Sequence, residues 1–171
     1  MLSTDYTAKY QEYEFVAVKT GPNGEELPPI EVEKGYTPTV LDFNFSDADG
    51  SEYNENGEDY ALKAITEKQL LLFVGKDVSS MSSGDFDQMA SLAAAAEAQG
   101  IRPVAAVGNY SYNYVDSVRH AHNMSFDFFS LDEITAKTVV RSNPGVLMTQ
   151  DSIITGKWSS AAFPTVDELT N

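Results

Sequence analysis

The sequence contains no cysteine. That excludes a disulfide framework, a zinc–thiolate centre and a cysteine nucleophile within the chain. Basic residues are also scarce: 11 Lys and Arg stand against 26 Asp and Glu, for a net charge of −15. A surface of that sign repels nucleic-acid phosphates and anionic headgroups, so no nucleic-acid partner is expected. Long apolar runs are missing too. None approaches the ~18 residues that a membrane-spanning helix needs. The opening stretch, MLSTDYTAKYQEYEF, has no basic start followed by an apolar segment, so it does not read as a signal peptide. It fits a cytoplasmic protein or a soluble piece of a longer one.

Histidine is limited to His120 and His122. On a helix, residues two apart point to nearly opposite sides, so this pair cannot share a metal. One of them is expected to pack under the apolar segment 126–129. Asp47-Ala48-Asp49-Gly50 has its glycine two residues too early for an EF-hand loop and reads as a β-turn. Neither a metal nor a cofactor is expected.

What is present is globular. Of 171 residues, 42% are hydrophobic and 11% aromatic, and a domain of this size buries roughly 70% of its unfolded surface without a staple. Residues 13–18 and 30–33 alternate as strands around the turn signal Gly21-Pro22-Asn23-Gly24, giving an N-terminal β-hairpin extension over 1–35. The main domain then spans 36–171. Residues 39–45 read as a strand running into a turn at 46–50, and 60–67 as a short helix. QLLLFVG (69–75) is a near-continuous apolar run, the pattern of a central strand covered on both faces.

A loop at 76–84 precedes a helix over 85–99. Phe86, Met89, Ala90, Ala93 and Ala96 form its apolar stripe, and Gly100 supplies the C-cap. Further on come a strand at 102–108, a helix at 112–123 with Tyr114, Val115 and Val118 on one face, and a strand at 125–129. A helix at 131–141, a hairpin over 146–149 and 153–158, and a last short helix at 163–169 complete the order. This is an α/β protein with a mixed central sheet flanked by helices.

That order, with Asn143-Pro144-Gly145 just before a terminal hairpin, resembles the thioredoxin superfamily and, within it, the peroxiredoxin and TlpA-like branch. KGYTP (34–38), DFNFSDADG (42–50), LLLFV (70–74) and RSNPGVLMTQDSIITGKW (141–158) carry a narrower likeness. They resemble the cysteine-lacking thioredoxin-like domain that follows a DoxX-like membrane region in Bacteroidetes proteins. The resemblance covers about residues 34–164. It implies a domain on the periplasmic face of the inner membrane, tethered through a membrane region. It also implies a cis bond at Pro144 and no thiol oxidoreductase activity. The function expected is that of a binding or assembly module, with a protein or peptide as possible partner. An accessory of a thiol-redox system is the alternative.

Candidate site residues follow from the same frame. In active relatives the reactive thiol sits at the helix start, which is here the loop 77–83. Backbone N–H groups and the helix dipole stabilise negative charge there. Ser79, Ser82 and Ser83 occupy it. Ser82 or Ser83 caps the helix, or the helix end binds an anion or ligand. A serine nucleophile would need a base from a distant part of the chain. Arg141, Asn143 and Pro144 could line a surface for an extended peptide, or the bend at Pro144 merely lets the final hairpin pair. Tyr110, Tyr112 and Tyr114 read as core with partial exposure.

Overall fold

A computed structural model describes residues 11–17, 30–37, 44–151 and 153–170 of the protein. By its internal contacts the chain divides into two compact units, 1–43 and 44–171. In the first, β1 (Gln11–Ala17) pairs antiparallel with β2 (Ile30–Thr37). The expected turn at 21–24 and most of the strand expected over 39–45 lie outside the described residues.

The second unit is built on a five-stranded mixed sheet. Its strands are β3 (Gln69–Gly75), β4 (Arg102–Val107), β5 (Asp127–Ser130), β6 (Gly145–Gln150) and β7 (Ile153–Ser159), in spatial order β5-β4-β3-β6-β7. β3 runs parallel to β4 and β4 to β5, while β6 is antiparallel to β3 and β7 to β6. Leu70 to Gly75 are all buried. An apolar strand with no polar alternation is stable only between two covering layers.

Those layers follow from strand periodicity. Leu71 and Phe73 of β3, Ala105 and Val107 of β4, and Val146 and Met148 of β6 share one core cluster with the helices. Phe86, Met89, Leu92, Ala93 and Ala96 of α2 (Ser83–Glu97) join it, as do Val115 and Val118 of α3 (Tyr112–Ala121) and Leu169 of α5 (Val166–Thr170). The opposite parity, Leu70, Leu72, Val74, Val104, Ala106 and Leu147, is equally buried. On that side α4 (Glu133–Val139) packs against β3. Tyr60, which opens α1 (Tyr60–Ile65), meets Phe129 at 4.9 Å between ring centroids, and Phe45 stacks on Phe129 at 5.9 Å.

Gly100 ends α2 as expected: at φ +77° its N–H donates to the Glu97 carbonyl (2.9 Å) and the Ile101 N–H donates to the Ala96 carbonyl (3.0 Å). Other local expectations shift. Leu92 joins the apolar stripe of α2, and Ala90 is only partly buried against it. Tyr114 leaves the buried face of α3: it is exposed, as is Tyr112, while Val115 and Val118 point inward. Neither histidine packs under 126–129. His120 is exposed, and His122 caps α3 and turns to α2, where its ring lies 5.4 Å from that of Phe86. Asp47 does build a turn, its Oδ1 accepting the N–H groups of Asp49 and Ser51, both at 2.9 Å.

The ends of β3 and β4 are joined closely. The N–H of Gly108 donates to the carbonyl of Gly75 (2.8 Å), and the N–H of Val78 donates to the carbonyl of Gly108 (3.1 Å). A Cβ on Gly108 would fall 2.2 Å from the Lys76 carbonyl oxygen, so this seam requires glycine. It fixes the origin of the loop that follows β3.

Candidate functional site

The loop from Lys76 to Met81 crosses the C-terminal edge of the sheet between β3 and α2. A single 3₁₀ turn, Val78–Ser80, gives it shape, and Val78 and Met81 anchor it in the core. Asp77 begins that turn: its Oδ1 accepts the Ser79 N–H (2.9 Å) and the Ser79 hydroxyl (2.7 Å). Asn109 approaches from the end of β4. Its φ of +52° is a left-handed conformation that asparagine tolerates better than most residues. Its Nδ2 donates to Asp77 Oδ1 (3.0 Å) and Ser79 Oγ (3.1 Å). The Asn109 amide, followed by the Ser79 hydroxyl, holds the Asp77 carboxyl below the usual aspartate range.

Asn143 closes the loop from the other side. Its Oδ1 accepts the N–H of Lys76 (2.8 Å) and, more weakly, that of Asp77 (3.4 Å). Its Nδ2 donates to the Asp77 carbonyl (2.8 Å) and to Ser80 Oγ (2.9 Å). The following peptide bond, Asn143–Pro144, is cis, and Pro144 is buried. The exposed Arg141 contributes its carbonyl, which accepts Lys76 Nζ at 2.7 Å.

The start of α2 is a capping box. Ser82 is the N-cap, and its Oγ accepts the Asp85 N–H at 3.2 Å. Asp85 Oδ2 accepts both the Ser82 N–H (2.8 Å) and its hydroxyl (2.6 Å). Ser83 opens the helix and is exposed. The structure thus brings Asn143 to the loop of Ser79 and Ser80, while Ser82 belongs to a separate local motif. Asp77, Ser80, Asp85 and Asn109 were not singled out from the sequence. Of these, only Asp85 carries a local signal, the Ser-x-x-Asp spacing from Ser82.

Of the three candidate serines, Ser79 and Ser82 have a carboxylate within hydrogen-bond reach, but a local one, two or three residues away. A carboxyl held below its usual range, as Asp77 is, is a weak base for a hydroxyl. Neither histidine serves either: His122 Nδ1 lies 2.7 Å from Asp87 Oδ1, and His120 Nδ1 lies 3.5 Å from Asp116. The two carboxylates also place negative charge where an anion would bind at the helix start. Among the described residues, no group of three His, Asp or Glu side chains is placed to hold a metal ion.

No family model and no curated protein matches the sequence. Solved structures do. A secreted disulfide oxidoreductase of Mycobacterium tuberculosis, homologous to E. coli DsbE, is 18% identical; the match covers 76% of this chain and 92% of that one, with a TM-score of 0.50. BsSco, a member of the Sco family of cytochrome c oxidase assembly proteins, is 12% identical, with 75% and 87% covered and a TM-score of 0.51. The bacterioferritin comigratory protein of Xanthomonas campestris, at 12% identity over 70% and 82%, gives 0.46. At such identities the likeness establishes the fold alone, and that fold is thioredoxin-like.

Two outcomes test this account. Asn143→Ala removes the acceptor of the Lys76 N–H and should cost about 2 kcal/mol in urea unfolding, whereas Arg141→Ala should stay within about 0.5 kcal/mol. Equal effects would show that the amide is no clamp. Because the folded Asp77 carboxyl titrates below its unfolded value, the stability it contributes is present above the ordinary aspartate range and lost as pH falls through the folded value. The urea midpoints of the wild type and Asp77→Asn should therefore converge on acidification from neutral pH. A constant gap between them would sink the assignment.

Proposed function

We propose that this protein is a redox-inactive binding and assembly module built on a thioredoxin-like fold. Without cysteine it cannot itself exchange thiols and disulfides. The loop at the helix start, where a thiol would sit, is occupied by hydrogen bonds internal to the protein.

One observation supports binding. The Asn143 side chain is engaged with residues 76–80, yet its backbone N–H and C=O have no backbone partner among the described residues. An extended polypeptide can bond such groups as an added strand. In this reading Arg141, Asn143 and Pro144 form the contact, and Ser79, Ser82 and Ser83 border it. The same surface would suit an accessory of a thiol-redox system, with the thiols on the partner.

The resemblance of residues 34–164 to the domain attached to DoxX-like membrane regions supports a setting within a larger membrane-associated protein, on the periplasmic face. No described helix is long and apolar enough to cross a membrane.

Hydrogen exchange with reduced, carboxymethylated α-lactalbumin as the unfolded chain tests the contact. The Asn143 amide should exchange more slowly in its presence, and Arg141→Glu should weaken that protection. Unchanged exchange over 141–145 would refute the groove. The setting has its own test: the native protein should sediment with membranes and be cut by protease added to spheroplasts. Recovery in the cytosolic fraction would refute it.

A further inference from the structure

β5 lies at an edge of the sheet. Its Ser130 exchanges both backbone hydrogen bonds with Ser46, at 3.0 and 2.6 Å, while the next residue, Leu131, donates inward to the Val107 carbonyl. Backbone direction alternates along a strand, so the N–H and C=O of Phe128 also face outward. Continued antiparallel pairing would set Ala48 opposite Phe128. The chain turns away at Asp47 instead, with the Gly50 N–H donating to the Asp47 carbonyl.

A cavity of about 290 Å³ opens there. Phe128, Tyr60, Tyr110 and Tyr112 line it, together with Arg102 and Arg119. The whole sequence holds three arginines, so two of them converge on one cavity of a strongly acidic chain.

Of the three cations lining this cavity, two are paired with carboxylates. Lys63 is paired with Glu58 at 2.7 Å, and Arg102 is held between Glu67 (2.6 Å) and Asp127 (3.2 Å). The Asp47 carboxylate accepts two backbone N–H groups and faces the Tyr60 hydroxyl at 3.4 Å. Arg119 is different. Its one recorded hydrogen bond is a long one, from Nε to the Met124 carbonyl at 3.4 Å, and no carboxylate pairs with it among the described residues. Asp116, one turn earlier, faces His120 instead. A guanidinium presents a planar fork of donors that fits a carboxylate. The tyrosines beside it supply flat apolar faces with polar tips.

We propose that this cavity binds a small aromatic carboxylate, its carboxylate on the Arg119 guanidinium and its ring among Tyr60, Tyr110 and Tyr112. A free acid and the C-terminal aromatic residue of a chain share this chemistry; the latter adds an amide able to bond the outward backbone of Phe128. The site shares no residue with the loop 76–85 or with 141–145, and it stands or falls independently of the proposed function.

NMR titrations with 3-phenylpropionate and with N-acetylphenylalanine read both forms. Saturable shifts of the Arg119 Nε–H resonance are expected with each, and a Phe128 amide shift with N-acetylphenylalanine when the chain-end form is preferred. Arg119→Gln should weaken binding at least about tenfold, equivalent to ~1.4 kcal/mol, with an unchanged melting temperature, while Lys137→Gln leaves it unaltered. Phenethylamine, which has the ring but a positive charge, should not compete. Equal binding by Arg119→Gln, equal binding of phenethylamine, or no saturable shift with either acid would overturn the assignment.

Discussion

The Asn143 side-chain amide ties together parts of the chain 67 residues apart. One planar group accepts the N–H of Lys76 and donates to the Asp77 carbonyl and the Ser80 hydroxyl. It joins the entry of β6 to the exit of β3, two strands that are already neighbours in the sheet. The loop 76–80 lies over buried Val78 and Met81, and its backbone polar groups need partners there. Asn143 and Asp77 supply them. The entry of β6 leaves little slack: a Cβ on Gly145 would lie 2.5 Å from Val140 Cγ1 and 2.8 Å from Val140 Cβ.

Acidic side chains do much of the local structural work. Asp59, Asp77, Ser82 with Asp85, and Asp132 each cap a helix or turn by accepting backbone N–H groups. Carboxylates at helix starts also complement the dipole. A chain of net charge −15 thus places part of its excess acid where it stabilises. The sheet depends on none of this: its inner strands β3, β4 and β6 are largely apolar and buried.

The sequence makes the sheet legible because burial on both faces leaves an unmistakable run at 69–75, and because Gly and Pro punctuate the rest. The end of α2 is legible in Gly100, whose positive φ closes the helix. Tyr114 fitted the apolar spacing of α3, yet its polar tip and its place near the helix start put it in solvent. The site was half visible. A serine cap at 82 or 83 is legible locally, and the structure assigns it to Ser82. The contacts of Asn143 with Lys76 and of Asn109 with Asp77 are not legible, because they span 67 and 32 residues and leave no mark in local composition. His122 turned to Asp87 for the same reason.

The capping box at the start of α2 also bears on evolutionary reversibility. Asp85 keeps a carboxylate 2.6 Å from the hydroxyl at position 82. A sulfur introduced there would face that charge, which raises a thiol's pKa and suppresses the thiolate. Removing the carboxylate would cost the Ser82 N–H its partner and break half of the capping box. Thiol chemistry at this position would therefore require replacement of both Ser82 and Asp85.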